Sequence, residues 1–263
     1  MGGRRWRWAW ALVALTVGAS ACGGGAADRA AVISADGIAR AAQSTGEEGT
    51  ARIAMTVEVA GQTIDVDGAM RMDGTALVMS FDVPGGGRFE ERIVDEVLYM
   101  RAPGADVEFG TEWVSVDMSG LLPDQQEAAR STGTADPTSS LQSLAGADGE
   151  VKMLGEEEVR DGIASHYRVH LDADTALERL RARGTEPTAQ QLETLEAMDG
   201  EPMDVWLDGE DRMVKMAFAI RFPQGTARMT MDLYDFGAPV DIQAPPASDT
   251  TDITDRMRAE LIV

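Results

Sequence analysis

The sequence predicts an α+β domain in which one antiparallel β-sheet carries helices on one face. Two observations lead to that expectation. A hydrophobic period of two recurs along about ten segments separated by turn residues, and a helical period shows in only about four short stretches. The 263 residues are enough for one sizeable domain.

The N-terminus stands apart. Arg4, Arg5 and Arg7 form a positive region without acidic residues, and Trp8–Val17 follow as an apolar stretch. Its length, about ten residues, is that of a signal peptide rather than of a membrane-spanning helix. Gly18-Ala19-Ser20-Ala21 then leads to the one cysteine of the chain, Cys22. This run resembles the lipobox of bacterial lipoproteins, with Ala19 where Leu is most frequent, and the resemblance implies that the Cys22 thiol carries the lipid. Cleavage at Ala19-Ser20-Ala21 by ordinary signal peptidase is the alternative, and it would leave a free thiol without a role. The expected division is a signal peptide over residues 1–21, a lipidated cysteine with a Gly-rich tether over 22–30, a folded domain over 31–243 and a polar, largely disordered tail over 244–263. Loss of the signal peptide leaves 242 residues and moves the net charge from -22 to -25.

In the mature chain, residues 34–44 read as a short amphipathic helix with Ser34 as its N-cap. Alternation begins with Ile53, Met55, Val57 and Val59, continues through Ile64, Val66, Met70 and Met72, and recurs in Leu77, Met79, Phe81 and Val83. Such alternation marks half-buried antiparallel strands. Gly61-Gln62 and Asp73-Gly74 read as two-residue hairpin loops. Further strands are expected at 88–94, 97–102 and 113–118. Pro123, Gly133, Pro137 and Gly146 interrupt the pattern, with helical pieces expected at 124–130 and 138–144. Strands resume at 151–159 and 163–171, and helices are expected at 174–182 and 188–198. Closing strands carry Met203, Val205 and Leu207, then Val214, Met216, Phe218, Ile220 and Phe222, and finally Ala227, Met229, Met231 and Leu233.

Composition narrows function. With 23 basic against 45 acidic residues, the chain lacks the basic stripe that nucleic acid or an anionic membrane surface requires. One cysteine excludes an internal disulfide framework and a cysteine-rich zinc site. Of the 23 basic residues only Lys152 and Lys215 are lysines, a bias that suggests a high-GC bacterial genome. His166 and His170 would pair on a helix. On the strand that Tyr167, Val169 and Leu171 predict, they lie about 13 Å apart and read as solvent-facing. No nucleophile elbow, zincin helix or P-loop occurs. Glu156-Glu157-Glu158 and the pairs Asp65/Asp67 and Asp172/Asp174 do not continue into a calcium loop. The expectation is a protein that is not an enzyme and needs no cofactor or metal.

The order of elements resembles the actinobacterial lipoproteins of the LppX/LprG type, which share the fold of the LolA/LolB lipoprotein carriers. The stretches carrying the likeness are 93–100 (IVDEVLYM), 113–116 (WVSV), 204–208 (DVWLD) and 234–242 (YDFGAPVDI) with Pro245-Pro246. The resemblance implies a strongly curved half-barrel sheet whose concave face is covered by helices, with an apolar cavity between them that holds the acyl chains of a lipid or glycolipid. Candidate lining residues on the early strands are Met55, Val57, Met70, Met72, Met79 and Phe81. Those on the closing strands are Met203, Val205, Met216, Phe218, Ile220, Met229, Met231 and Leu233. Methionine is flexible and polarisable and suits a wall that adapts to varied chains, although the same residues would also make an ordinary Met-rich core. Expected partners are lipid acyl chains, the cell membrane through the Cys22 anchor and envelope transport proteins, with the domain itself monomeric. Trp206 reads as an outer-face packing residue, with a place on the cavity rim as the alternative. The competing reading of the whole chain is an envelope scaffold or sensor with a filled core.

Overall fold

The computed structural model describes residues 35–120, 150–160, 162–170, 174, 177–178, 181, 192, 201–222 and 225–260. Helix α1 spans Ala35–Gly46. Strands β1 (Thr50–Val59), β2 (Gln62–Arg71), β3 (Ala76–Val83), β4 (Gly87–Val94) and β5 (Val97–Arg101) run as a meander. A short helix α2 (Ala105–Phe109) precedes β6 (Trp113–Asp117). The second half comprises β7 (Glu150–Val159), β8 (Gly162–His170), β9 (Pro202–Leu207), β10 (Met213–Phe222) and β11 (Gly225–Tyr234). A three-residue strand β12 (Thr250–Asp252) and helix α3 (Thr254–Glu260) follow.

The twelve strands of the described residues form one sheet in the order β12-β6-β5-β4-β3-β2-β1-β11-β10-β9-β8-β7. Every neighbouring pair is antiparallel except β12 with β6. The first long strand therefore pairs with the last long one, β1 with β11, and the two meanders extend from that seam. The α+β class with a single, almost wholly antiparallel sheet is the one the alternation predicted.

Two hairpins show how the local sequence sets register. The β1–β2 loop is Ala60-Gly61, not Gly61-Gln62, because Val59 pairs with Gln62 across the ladder. Both loop residues have positive φ, 52° and 77°, as a type I′ turn requires. The loop at Asp73-Gly74 is longer than two residues. The Asp73 carboxylate accepts bonds from the backbone N–H and hydroxyl of Thr75, which holds a wider turn closed.

Helix α1 lies on one face of the sheet. Ile38 and Ala41 join a cluster with Ile53, Met55, Met213 and Leu233. Thr45, fully buried, donates to the Ala41 carbonyl at 2.7 Å and accepts from the Met213 backbone N–H at 2.8 Å, which fastens the helix to β10. A second, smaller cluster of Leu98, Val116 and Met118 is capped by Ile253 and Met257. Leu77 belongs to the first cluster, and its cross-strand partner Ile93 to the second, so both occupy the same face of the sheet.

The tail is corrected by the structure. Residues 244–263 were expected to be extended or disordered, yet β12 pairs in parallel with β6 and α3 packs beside it. The outer edge of β6 presents backbone groups that need partners, and Thr250–Asp252 supply them. Thr254 Oγ1 then accepts the Asp117 N–H, and Asp252 Oδ1 caps the Thr254 N–H at the start of α3. The helices expected at 124–130 and 138–144 lie outside the described residues. Of the segments at 174–182 and 188–198, Asp174, Leu177, Glu178, Arg181 and Leu192 are described, and all are helical.

Candidate functional site

The face that α1 covers is apolar and rich in methionine. Met55, Met70, Met72, Met79, Met203 and Val205 are buried in its main cluster, as are Met216, Met231 and Leu233. Val57, Phe81, Phe218 and Met229 are half-buried and pack against that cluster. Strand pairing explains the convergence: Met55 lies opposite Met231 and Val66, Val57 opposite Met229, and Met216 opposite both Met231 and Val205. Among the candidate lining residues, Ile220 alone sits outside the cluster, half-buried near the far end of β10.

A carboxyl interrupts the apolar part of this face at Glu91. Cross-strand pairing sets Ile53, Gly68, Met79, Glu91, Met100 and Val114 in a single row from β1 to β6. Glu91 therefore stands between Met79 of the large cluster and Met100 beside the small one. Its Oε1 is buried and has no hydrogen-bond partner among the described residues. Burial pushes the carboxyl up to about 7, since ionisation in an apolar surround costs solvation. The sequence signal was present in the alternation Phe89-x-Glu91-x-Ile93, which already puts the carboxyl on the apolar side. Gly68 is where it is because a methyl there would lie 2.4 Å from the Val78 carbonyl oxygen and 2.9 Å from Met79 Cγ.

The opposite face holds a different arrangement around Trp206 and Trp113. Trp206 is 7% exposed, faces away from Val205 and stacks on His166 with ring centroids 4.1 Å apart and planes 14° apart. Lys215 Nζ lies 5.1 Å from the indole centroid on the other flank. Glu157 accepts from both Trp206 Nε1 (2.9 Å) and His166 Nδ1 (2.8 Å). The bond from Trp206 and then that from His166 hold the Glu157 carboxyl below its usual range. Asp204 accepts two bonds from Arg168, at 2.8 and 3.0 Å. Burial raises the Asp204 carboxyl, but the Arg168 bond and charge, together with His166, outweigh that and leave it lowered. His166 Nε2 lies 3.3 Å from Asp204 Oδ1, an ion-pair distance without hydrogen-bond alignment. Further along this face, Arg92 and Arg101 lie 4.8 and 5.1 Å from the Trp113 ring and both bind Glu90.

His166 was expected to face solvent, and the structure corrects this: it is 6% exposed. The register places Trp206 directly opposite it, and the indole covers the ring. His170 is exposed, as expected of a strand end.

The chain is similar to two Streptomyces proteins and to several solved structures. No family model matches it. It is 30% identical over 118 residues to an uncharacterised Streptomyces griseus protein encoded between rplA and rplJ, covering 43% of this chain and 37% of that one. The chain thus spans little more than a third of that relative. It is 23% identical over 249 residues to a Streptomyces coelicolor protein provisionally named a lipoprotein, covering 86% of this chain and 78% of the relative. Among solved structures it is similar to LprF from Mycobacterium bovis (15% identity, TM-score 0.47, 81% of this chain and 97% of that one). It is also similar to the Mycobacterium tuberculosis lipoprotein LppX (11% identity, TM-score 0.46, 78% and 98%).

The carboxylate groups singled out in the sequence stay apart. Asp65 and Asp67 are exposed, with Asp65 accepting from Thr56, and Glu157 is engaged by Trp206 and His166. Among the described residues no group of three metal-ligating side chains converges. A surface pocket of about 440 Å³ between the end of β6 and α3 is lined by Asp117, Asp252, Thr254 and Asp255. Thr254 and Asp252 use their oxygens there on backbone N–H groups. Among the described residues no helix is long and apolar enough to cross a membrane. Cys22 lies outside the described residues.

Proposed function

We infer that the chain is an extracytoplasmic lipoprotein of the LppX/LprG type, anchored to the cell membrane through Cys22, that holds the acyl chains of a lipid or glycolipid against its methionine-rich sheet face. The observation that carries this reading is the gathering of methionines from β1, β2, β3, β9, β10 and β11 on one helix-covered face. The lipobox-like run ending in Cys22 supports the anchor, and the Streptomyces coelicolor relative, provisionally a lipoprotein, agrees with it. The mechanism is passive. Acyl chains leave the membrane for the protein, favoured by about 25 cal/mol for each Å² of apolar surface shielded. The polar head group stays in water, and the anchor keeps the local lipid concentration high. Transport of the lipid across the envelope, or its delivery during envelope assembly, is the role this binding would serve.

Native mass spectrometry of residues 23–263 after exposure to host membranes tests the binding. A co-purifying lipid, with exchange of a fluorescent fatty acid, is the expected result; neither being seen would overturn it and favour a scaffold with a filled core. Cys22→Ala tests the anchor: the protein should move from the membrane fraction to the soluble one, and its retention at the membrane would show the assignment to be wrong.

A further inference from the structure

We propose that Glu91 is a ligand-recognition residue that hydrogen-bonds an uncharged hydroxyl group of the bound lipid, at the point where the apolar face passes from the large cluster to the small one. This inference rests on the lipid-binding reading above and adds to it a chemical class: lipids with a hydroxyl near the acyl chain.

The first ground is position. Glu91 shares its face with Phe89 and Ile93 on its own strand and lies between Met79 and Met100 on the neighbouring strands. A carboxyl placed among apolar side chains is costly, so native interiors pair such groups. The other carboxylates described in the sheet's polar clusters follow that rule. Glu90, one residue earlier on the opposite face, binds Arg92 and Arg101. Glu157 takes two donors, and Asp204 takes the Arg168 guanidinium. Glu91 Oε1 alone among the buried carboxylate oxygens described has none.

The second ground is the character of the surroundings. The strands flanking Glu91 bring no cation to this row, so the surroundings favour the neutral acid, in keeping with the upward pull of burial on its pKa. A neutral carboxyl offers an O–H donor and a carbonyl acceptor, the complement of an alcohol. A cationic amine would instead call for the ionised form, which these surroundings oppose. A purely aliphatic ligand would leave the oxygen unsatisfied at the same cost as in the free protein.

The test uses the mature chain carrying Cys22→Ala, with 1-O-octadecylglycerol and octadecane as paired probes of one chain length. Each displaces the neutral dye N-phenyl-1-naphthylamine. Glu91→Met matches its neighbours in shape and removes both oxygens, whereas Glu91→Gln keeps a donor and an acceptor. The expected result is about a tenfold loss of octadecylglycerol affinity in Glu91→Met, the scale of one hydrogen bond, with octadecane affinity kept and Glu91→Gln near wild type. An unchanged ratio of the two affinities in Glu91→Met overturns the role of Glu91 while leaving lipid binding standing. Binding of neither probe by the wild type overturns the lipid-binding reading and this inference with it. Infrared difference spectra of the wild type give a second readout independent of any variant. The protonated carboxyl stretch should move to lower frequency with octadecylglycerol and stay fixed with octadecane, and a band unmoved by both overturns the proposal.

Discussion

Glu91 and Glu157 are carboxylates of one sheet, on opposite faces, and their surroundings drive them in opposite directions. Glu157 is half exposed and accepts bonds from Trp206 and His166, so its ionised form is favoured. Glu91 stands in an apolar row and its neutral form is favoured. The outer face uses its charges in closed sets: Glu157 with Trp206 and His166, Asp204 with Arg168, and Glu90 with two arginines over Trp113. On the inner face the buried Glu91 Oε1 has no hydrogen-bond partner among the described residues. Satisfied polar groups specify a structure, and an unsatisfied buried one calls for an explanation, which the lipid hydroxyl proposed above supplies.

The two faces should respond to pH with opposite signs. For Glu91 the folded pKa, about 7, lies above the ordinary 4.5, so between those values the folded state holds the proton more firmly than the unfolded chain. Stability then falls as pH rises through this window, by roughly 3 kcal/mol from this group, and Glu91→Gln should abolish that fall. Urea unfolding at pH 4 and pH 8 measures it, and an identical slope in wild type and variant would break the comparison. The next effect concerns the row in which Glu91 sits. Gly68→Ala should destabilise by about 2 kcal/mol, because the added methyl meets the Val78 carbonyl at 2.4 Å and β2 must move from β3. Thermal unfolding checks it, and an unchanged midpoint would mean that the row is loosely packed.

The smallest effect belongs to the outer face. Glu157 has a folded pKa below its ordinary value, so its contribution is present above that ordinary value and is lost as pH falls through the folded one. Trp206→Phe keeps a ring against His166 but removes the Nε1 donor. The Glu157 carboxyl should then titrate nearer its usual range, and the loss of stability in acid should be blunted. A carboxyl titration followed by NMR reads this directly, and no change in Glu157 would mean that His166 alone holds it.

Much of this was legible from the alternation. Eleven of the twelve described strands fall on segments that read as strands in the sequence, and six of them show the period of two that burial on one face imposes. The methionines of the inner face could be grouped for the same reason. Strand β12 escaped because three residues paired to an edge show no period, yet Ile253 and Met257, four apart, were a helical signal for α3. Glu91 was readable as a polar residue in phase with Phe89 and Ile93. His166 was misread because alternation tells which face a side chain takes, not what covers it.

The sequence by itself determined eleven of the twelve described strands, the hairpin positions to within a residue and the two-faced pattern of apolar and charged positions. These follow from short-range periodicity and turn chemistry, which neighbouring residues encode. Only the tertiary structure decided that β1 meets β11, that Trp206 lies over His166, that β6 borrows its edge partner from the tail, and that Glu91 falls between two methionines with no donor among the described residues. Each of these depends on register between distant strands. Register is chosen by the burial of whole faces at once and is therefore written in no single segment.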